Sequence, residues 1–472
     1  MPHHDLDLFD LTITQALEGL TARRFSAREY AEALIARSEE QKSLNALVSH
    51  DWDKLLEAAG KVDASGKAGQ KLGGIPLCIK DNINTGILPA GAATGALASH
   101  VAKAPAPVAK ALFDAGALLG ANGNMHELAF GISSNNGVTG AVHNPWNPAM
   151  IPGGSSGGVA AAVAARMMPG GVGTDTGASV RLPASLCGLV GFRPTVGRYP
   201  GEGIVPISHT RDTAGPLTRS VADAQLLDRV MAGGVPATAP ATLKGLRLGV
   251  PRTYFYETLD PAVAANAEAA LDALRKAGVV LIEADIPDIG ALDAAVSFPV
   301  VLYEFMQDLP AYLRDQGLDL TMQDILDGIG SPDVKGLVAS QLGADAMPEA
   351  VYRKAIDEDR PKLLAAYADY FRSHDVEAVI FPTAALPARP IGDDETVELN
   401  GERVPTFPTF IRNTDPGSNA AIPGISLPSG LSPGGLPLGM ELDGPALSDD
   451  RLLAIAAAIE TVFAFDAKPP VR

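Results

Sequence analysis

The sequence predicts an α/β protein built as one large unit, and three observations point there. Strand-like and helix-like patterns alternate along the 472 residues, which is the ordering that yields layered α/β folds. Hydrophobic residues make up 46% of the chain, enough for a large core, while aromatics are only 5% and glycines number 49. Close helix packing and glycine-shaped loops are therefore expected. No internal repeat or low-complexity linker divides the chain, so one unit fits better than several.

The elements follow in order. Thr12 to Ser38 reads as two helices broken at about Ala22 to Phe25. Ser26 is the expected N-cap of the second, and Glu29 three residues on completes a capping box. Leu72 to Ile79 is a short apolar run that predicts a buried strand ending at Lys80-Asp81-Asn82. Pro107 to Ala115 predicts a helix, since proline suits a first helical position. Ala117 to Ala121 follows as a strand. Asn135 to Gly154 is loop, Val159 to Met167 a small-residue helix, and Gly170 to Thr176 a short strand or loop. Leu182 to Gly191 is apolar again. Leu246 to Val250, Pro261 to Ala277 and Val279 to Glu283 form a βαβ-like unit. A mainly helical region covers about 291–369. Val376 to Phe381, Ile425 to Pro428 and Leu438 to Leu442 are further strands, and Arg451 to Phe463 is a terminal helix.

Composition narrows the function. The formal net charge is −18 with no Lys/Arg block, whereas a nucleic-acid surface carries a basic patch or stripe. The two cysteines, Cys78 and Cys187, each lie in an apolar stretch, so no disulfide framework is expected. There is no charged n-region followed by an apolar stretch, and no run of about 18 apolar residues to span a membrane. A cytoplasmic protein is expected. The eight histidines show no metal-ligand spacing, and His126 in Asn124-Met125-His126-Glu127-Leu128 is not part of an HExxH pair, so zinc is not expected. His126 reads as a core or pocket-edge residue.

Two Gly/Ser-rich loops carry the chemistry. The first is Gly153-Gly154-Ser155-Ser156-Gly157-Gly158, and the second runs from Gly173 to Arg181 through Thr174-Asp175-Thr176-Gly177-Ala178-Ser179-Val180. Glycine allows close backbone approach to a ligand, serine supplies a nucleophile or proton relay, and a lysine held neutral by burial can act as a base. Lys80, at the end of an apolar strand, is the candidate for that lysine, although a lone lysine is more often solvated or paired. Together these parts could build an acyl-transfer site. No Gly-Lys-Ser/Thr follows the first loop, so it is not a phosphate-binding P-loop.

The stretch from Gly153 to Thr195 resembles the signature block of the amidase signature family, and Gly74 to Asn82 resembles that family's lysine segment. The likeness continues through Asn413 to Asn419 and Gly435 to Gly439. Within the family, the loops His126 to Asn136, Gly191 to Pro200 and Asn413 to Pro428 look most like indoleacetamide and mandelamide hydrolases. The resemblance implies a mixed β-sheet core covered by helices, no cofactor and no metal. It implies Ser179 as nucleophile, Ser155 as bridging serine after a cis peptide bond, and Lys80 as base. It assigns the oxyanion hole to backbone N–H groups of Thr176, Gly177, Ala178 and Ser179, with Asp175 and Arg181 as supports. Ala178 departs from the family's usual glycine. Since alanine tolerates positive φ poorly, either residue 178 has negative φ or the loop differs.

The substrate implied is a small carboxamide, an arylacetamide such as indoleacetamide, cleaved to carboxylic acid and ammonia. Aryl acylamides and carbamates are the alternatives, and an amidotransferase A-type subunit is another class. Met125, Phe130, the helical region and the segment near Thr414 to Asn419 are the expected acyl-pocket lining. A homo-oligomer is left open. A different mechanism is also written in the first loop: Gly154-Ser155-Ser156-Gly157-Gly158 satisfies the G-x-S-x-G nucleophile elbow with Ser156 central. That reading needs a downstream histidine, and only His209 and His374 qualify.

Overall fold

Apolar runs bounded by glycine or proline become the strands of one mixed sheet. A computed structural model of the chain describes residues 7–236 and 238–470. Among these, eleven strands pair into a single sheet: β1 (Leu47–Ser49), β2 (Pro76–Lys80), β3 (Leu118–Gly123), β4 (Gly170–Asp175), β5 (Val190–Arg193), β6 (Thr213–Thr218), β7 (Arg247–Val250), β8 (Val280–Glu283), β9 (Ala378–Pro382), and two C-terminal strands. A separate hairpin, β10 (Thr396–Leu399) and β11 (Glu402–Pro405), precedes the latter, β12 (Gly424–Leu431) and β13 (Pro437–Asp443). The order across the sheet is β1-β3-β2-β4-β6-β5-β12-β13-β9-β7-β8. Pairs β2/β3, β2/β4, β7/β8 and β7/β9 are parallel and the rest antiparallel. Both faces of the central strands are covered, so every residue of β2 and β9 is buried, Lys80 at the end of β2 included.

Helices cover the sheet. The first two are α1 (Ile13–Thr21) and α2 (Ala27–Glu40), the break between them lying where expected, and Ser26 and Glu29 form the capping box. Then come α3 (Trp52–Ser65), α4 (Pro107–Asp114), α5 (Gly157–Ala164), α6 (Arg181–Cys187), α7 (Val221–Met231) and α8 (Pro261–Lys276). Helix α5 is buried on all sides, which explains its lack of any polar face. The mainly helical region contains α9 (Ile289–Asp315), α10 (Met322–Gly328), α11 (Pro332–Leu342), α12 (Glu349–Lys354) and α13 (Arg360–His374). Two short helices, α14 (Thr406–Ile411) and α15 (Asp415–Asn419), and the terminal α16 (Asp449–Phe463) complete the chain.

One expectation is corrected. Helix α9 is long and apolar enough, by length and composition, to cross a membrane. Here it packs within the protein, burying Val296, Val300, Phe305 and Leu309, and it also buries Asp293 and Glu304. Asp293 and Glu304 interrupt its apolar sequence.

Candidate active site

Because β2 and β4 are parallel neighbours, with Ile79 opposite Val172, their C-terminal ends reach the same edge of the sheet. Lys80 ends β2, and Thr174 and Asp175 end β4. Lys80 is fully buried, and its Nζ donates to Ser155 Oγ at 2.7 Å and Thr174 Oγ1 at 2.7 Å. Asn82 Nδ2 donates to the same Thr174 oxygen at 3.1 Å. Burial pulls the Lys80 ammonium down to about 7, against the opposing pull of Asp175 and Asp212.

The first Gly/Ser loop packs onto this edge. Its Gly154–Ser155 peptide bond is cis, and the Ser155 carbonyl accepts from the His126 backbone at 3.1 Å. Its glycines serve close approach: a Cβ on Gly157 would lie 2.3 Å from Ser134 Oγ, and one on Gly158 2.2 Å from the Asn124 carbonyl. Ser156 is pinned to β4. Its Oγ donates to the Thr174 carbonyl at 3.2 Å and accepts from the Thr174 N–H at 3.3 Å, so it is buried and committed to structure.

Residues 176–179 form the turn after β4, half-buried at Thr176 and Gly177 and buried at Ala178 and Ser179. Ser179 is 8% exposed and, among the described residues, its Oγ makes no hydrogen bond. The backbone N–H groups of Thr176, Gly177, Ala178 and Ser179 likewise donate to no acceptor among the described residues. Buried donors left so are open to a ligand. Ala178 does not adopt positive φ, so alanine is accommodated without strain. Gly177 is the stricter position, since a Cβ there would lie 2.8 Å from Asp415 Oδ1.

A buried arginine holds the turn from behind. Arg181 Nε and Nη2 donate to the two oxygens of Asp175 at 3.1 and 3.0 Å. Its Nη1 donates to Glu441 Oε1 at 2.5 Å, and its Nη2 also bonds the Gly177 carbonyl and Ser418 Oγ. Burial disfavours the Asp175 charge, but Arg181 and Arg193 outweigh it and hold the carboxyl well below the usual range. Opposite, Thr176 Oγ1 donates to Asp212 Oδ1 at 2.6 Å, and Arg211 Nε to the Thr176 carbonyl at 3.2 Å. Arg211 is also ion-paired with Asp415.

Above the turn lies a cavity open to solvent, about 470 Å³ with that open space included. Thr176 to Ser179 form one side. Ala129 to Ile132, Ile207, Val301, Phe298, Phe407 and Ile411 make the wall largely apolar, with Arg211, Ser297 and Asp415 as its polar part. Phe130 is in this wall. Met125 and Thr414 are not, which corrects the expected lining. Met125 is fully buried in the core cluster with Leu128 and Phe305. Thr414 turns its hydroxyl back to the Ile411 carbonyl at 3.0 Å and gives its own carbonyl to Arg181. Its neighbour Asp415 takes the place at the cavity.

The histidines lie elsewhere. His126 Nε2 is 3.1 Å from Asp333 Oδ2, and its ring underlies Gly131 of the cavity wall. His209 Nδ1 lies 3.0 Å from Asp308 on α9, and His374 packs against Tyr370. His209, Glu304 and Asp308 could group around a cation, but Glu304 already accepts from Ser208, Thr210 and Tyr352. Sequence reasoning assigned no role to Thr174, Arg211 or Asp212, whereas Asp415 lies in the 414–419 segment expected to line the pocket. The run Arg211-Asp212-Thr213 after the signature block is the available signal for Arg211 and Asp212.

The model of the amidase family matches residues 29–453. An indoleacetamide hydrolase of Rhizobium radiobacter is 53% identical over 454 residues, covering 96% of this chain and 97% of the relative. A mandelamide hydrolase of Pseudomonas putida is 39% identical over 483 residues, covering 98% and 92%. Among solved structures, one described as an amidase superposes with TM-score 0.85 at 31% identity over 96% of this chain and 99% of that one. The native peptide amidase of Stenotrophomonas maltophilia superposes with TM-score 0.83 at 27% identity over 98% of both chains.

Proposed function

This chain belongs to the amidase family and is an amidase, and we propose that it hydrolyses small arylacetamides, such as indoleacetamide, to the carboxylic acid and ammonia through Ser179, Ser155 and Lys80. The observation that carries the reading is the buried contact of Lys80 with Ser155 at 2.7 Å, beside a cavity that holds Ser179 and a turn of unbonded N–H groups. The relatives named for indoleacetamide and mandelamide support the substrate class, as does a wall rich in phenylalanine and isoleucine.

The chemistry runs as follows. Neutral Lys80 takes a proton from Ser155 as Ser155 takes one from Ser179, and Ser179 Oγ attacks the amide carbon. The oxyanion is held by the N–H groups of the 176–179 turn, where losing one donor typically costs about 3–4 kcal/mol of transition-state stabilisation. Collapse breaks the C–N bond as Ser155 passes a proton to the leaving nitrogen, and Lys80 restores the proton to Ser155. Water then attacks the acyl-enzyme by the same relay, releasing the acid and regenerating Ser179. No cofactor, metal or partner protein enters these steps.

The test is ammonia release by the purified chain from indole-3-acetamide, phenylacetamide and mandelamide, beside amine release from anilides and N-aryl carbamates. Turnover of the arylacetamides above the other classes is expected. Turnover confined to anilides or carbamates would overturn the substrate class.

A further inference from the structure

A second cavity adjoins the first. It holds about 1000 Å³ of open space between the N-terminal half of α9 and α14, with Tyr254, Leu399, Val404 and Thr409 in its wall. Four residues belong to both walls: Ser297, Phe298, Ile411 and Asp415. These four border both spaces, and three of them are fixed. Asp415 is 2% exposed and ion-paired with Arg211, and Ser297 Oγ donates to Asp415 Oδ2 at 2.5 Å. Ile411 is 8% exposed, within α14.

Phe298 differs from the other three. It is 44% exposed, although aromatic side chains gain most from full burial. Its aromatic neighbour is Phe407 of the first cavity, with ring centroids 6.1 Å apart. The ring therefore borders the largely apolar first space and the mixed polar and apolar second one without being packed into a core. We propose that Phe298 is the specificity-determining partition of this site: it closes the far end of the acyl cavity, so compact arylacetyl groups fit and elongated ones are refused. Removing the ring joins the two spaces and admits acyl groups long enough to reach Tyr254 and Val404. The inference rests on the arylacetamide reading above and adds the residue that sets the length limit.

The test compares wild type, Phe298→Ala, Val301→Ala and the double variant Phe298→Ala/Thr409→Trp on phenylacetamide, para-biphenylacetamide and straight-chain amides from butanamide to decanamide. Phe298→Ala is expected to raise the ratio of kcat/KM for para-biphenylacetamide over phenylacetamide by about 10-fold or more, the scale on which hydrophobic pockets discriminate shape. The gain should appear mainly in KM, and the chain-length limit for alkyl amides should move the same way. Val301 lines the first cavity alone, so Val301→Ala should widen that cavity without lengthening it. Thr409→Trp fills the second cavity and should cancel the gain. An unchanged ratio in folded Phe298→Ala, an equal gain in Val301→Ala, or a gain that survives Thr409→Trp each overturns the partition. If wild type cleaves no arylacetamide, the substrate reading fails instead, and the partition is judged from the alkyl series alone.

Discussion

Among the described residues Lys80 has no carboxylate at ion-pair distance; Ser155 and Thr174 hydroxyl oxygens receive it instead. A lysine so placed loses its proton more readily than one paired with an acid, because burial penalises the charged form and nothing nearby fully compensates. The sign follows. The base form is neutral, the ammonium dominates below about 7, and kcat/KM is expected to rise with pH through that region. Thr174→Val removes an acceptor that favours the ammonium, so the midpoint should move to lower pH; a midpoint that stayed fixed would separate the limb from Lys80. Ser179→Ala should abolish turnover with the thermal melt preserved, and near-wild-type turnover in the folded variant would reject Ser179. Lys80→Ala should lose at least the ~10²–10⁴-fold that proton transfer is worth, while His209→Ala and His374→Ala keep most activity. The nucleophile-elbow alternative asks Ser156 to attack, yet its hydroxyl is bonded to both backbone groups of Thr174. A folded but dead histidine variant beside an active Lys80→Ala would revive it.

The turn between β4 and α6 shows what an element can and cannot tell from its letters. Its composition, Thr176-Gly177-Ala178-Ser179, made residue 178 look like the strained position. The backbone puts the demand on Gly177, whose missing Cβ leaves room for Asp415 and Arg211. Gly177→Ala should displace the turn and cut kcat/KM by about 10²-fold, the usual cost of misplacing reacting groups by roughly 1 Å. Ala178→Gly meets no such neighbour and should stay within a few-fold of wild type; steady-state kinetics on one amide decides both. Legibility divides along the same line. The helix after Ser26, the βαβ unit of β7, α8 and β8, and the two Gly/Ser loops were readable because their signals are local: a cap, a period, a motif. Strand β6 was not assigned, since Thr-Ala-Gly-Pro-Leu-Thr has neither an apolar run nor alternation and is held by pairing with β4 and β5 on either side. Helices α3 and α7 were also passed over. The cavity wall was legible only as regions, because Ser297, Phe298 and Asp415 line one cavity with Ser179 through packing that no spacing encodes.

At the scale of the whole molecule, one buried ion pair joins three distant stretches of chain. Arg211, just before β6, bonds the Thr176 carbonyl of the turn and the Ser297 carbonyl of α9, and it is ion-paired with Asp415 of α15. Asp415 in turn accepts from Ser297 at 2.5 Å and Asn419 at 3.2 Å. Both partners are 2% exposed, so neither charge can be left alone cheaply. Breaking a buried pair from one side typically costs about 3–5 kcal/mol, because the remaining charge is stranded, whereas replacing both sides with apolar residues costs less. Arg211→Met and Asp415→Leu should therefore each lower the urea midpoint strongly. The double variant should be more stable than the sum of the singles implies, by about 1–3 kcal/mol of coupling. Activity should follow a different pattern. The double variant regains stability but not the bond to Thr176, so its turnover should remain low. Additive stability losses would mean that the two residues act separately and that the turn, α9 and α15 are not held by one seam. Recovery of both stability and turnover in the double variant would mean that the seam serves folding and leaves the 176–179 turn to be positioned by Asp175 and Arg181.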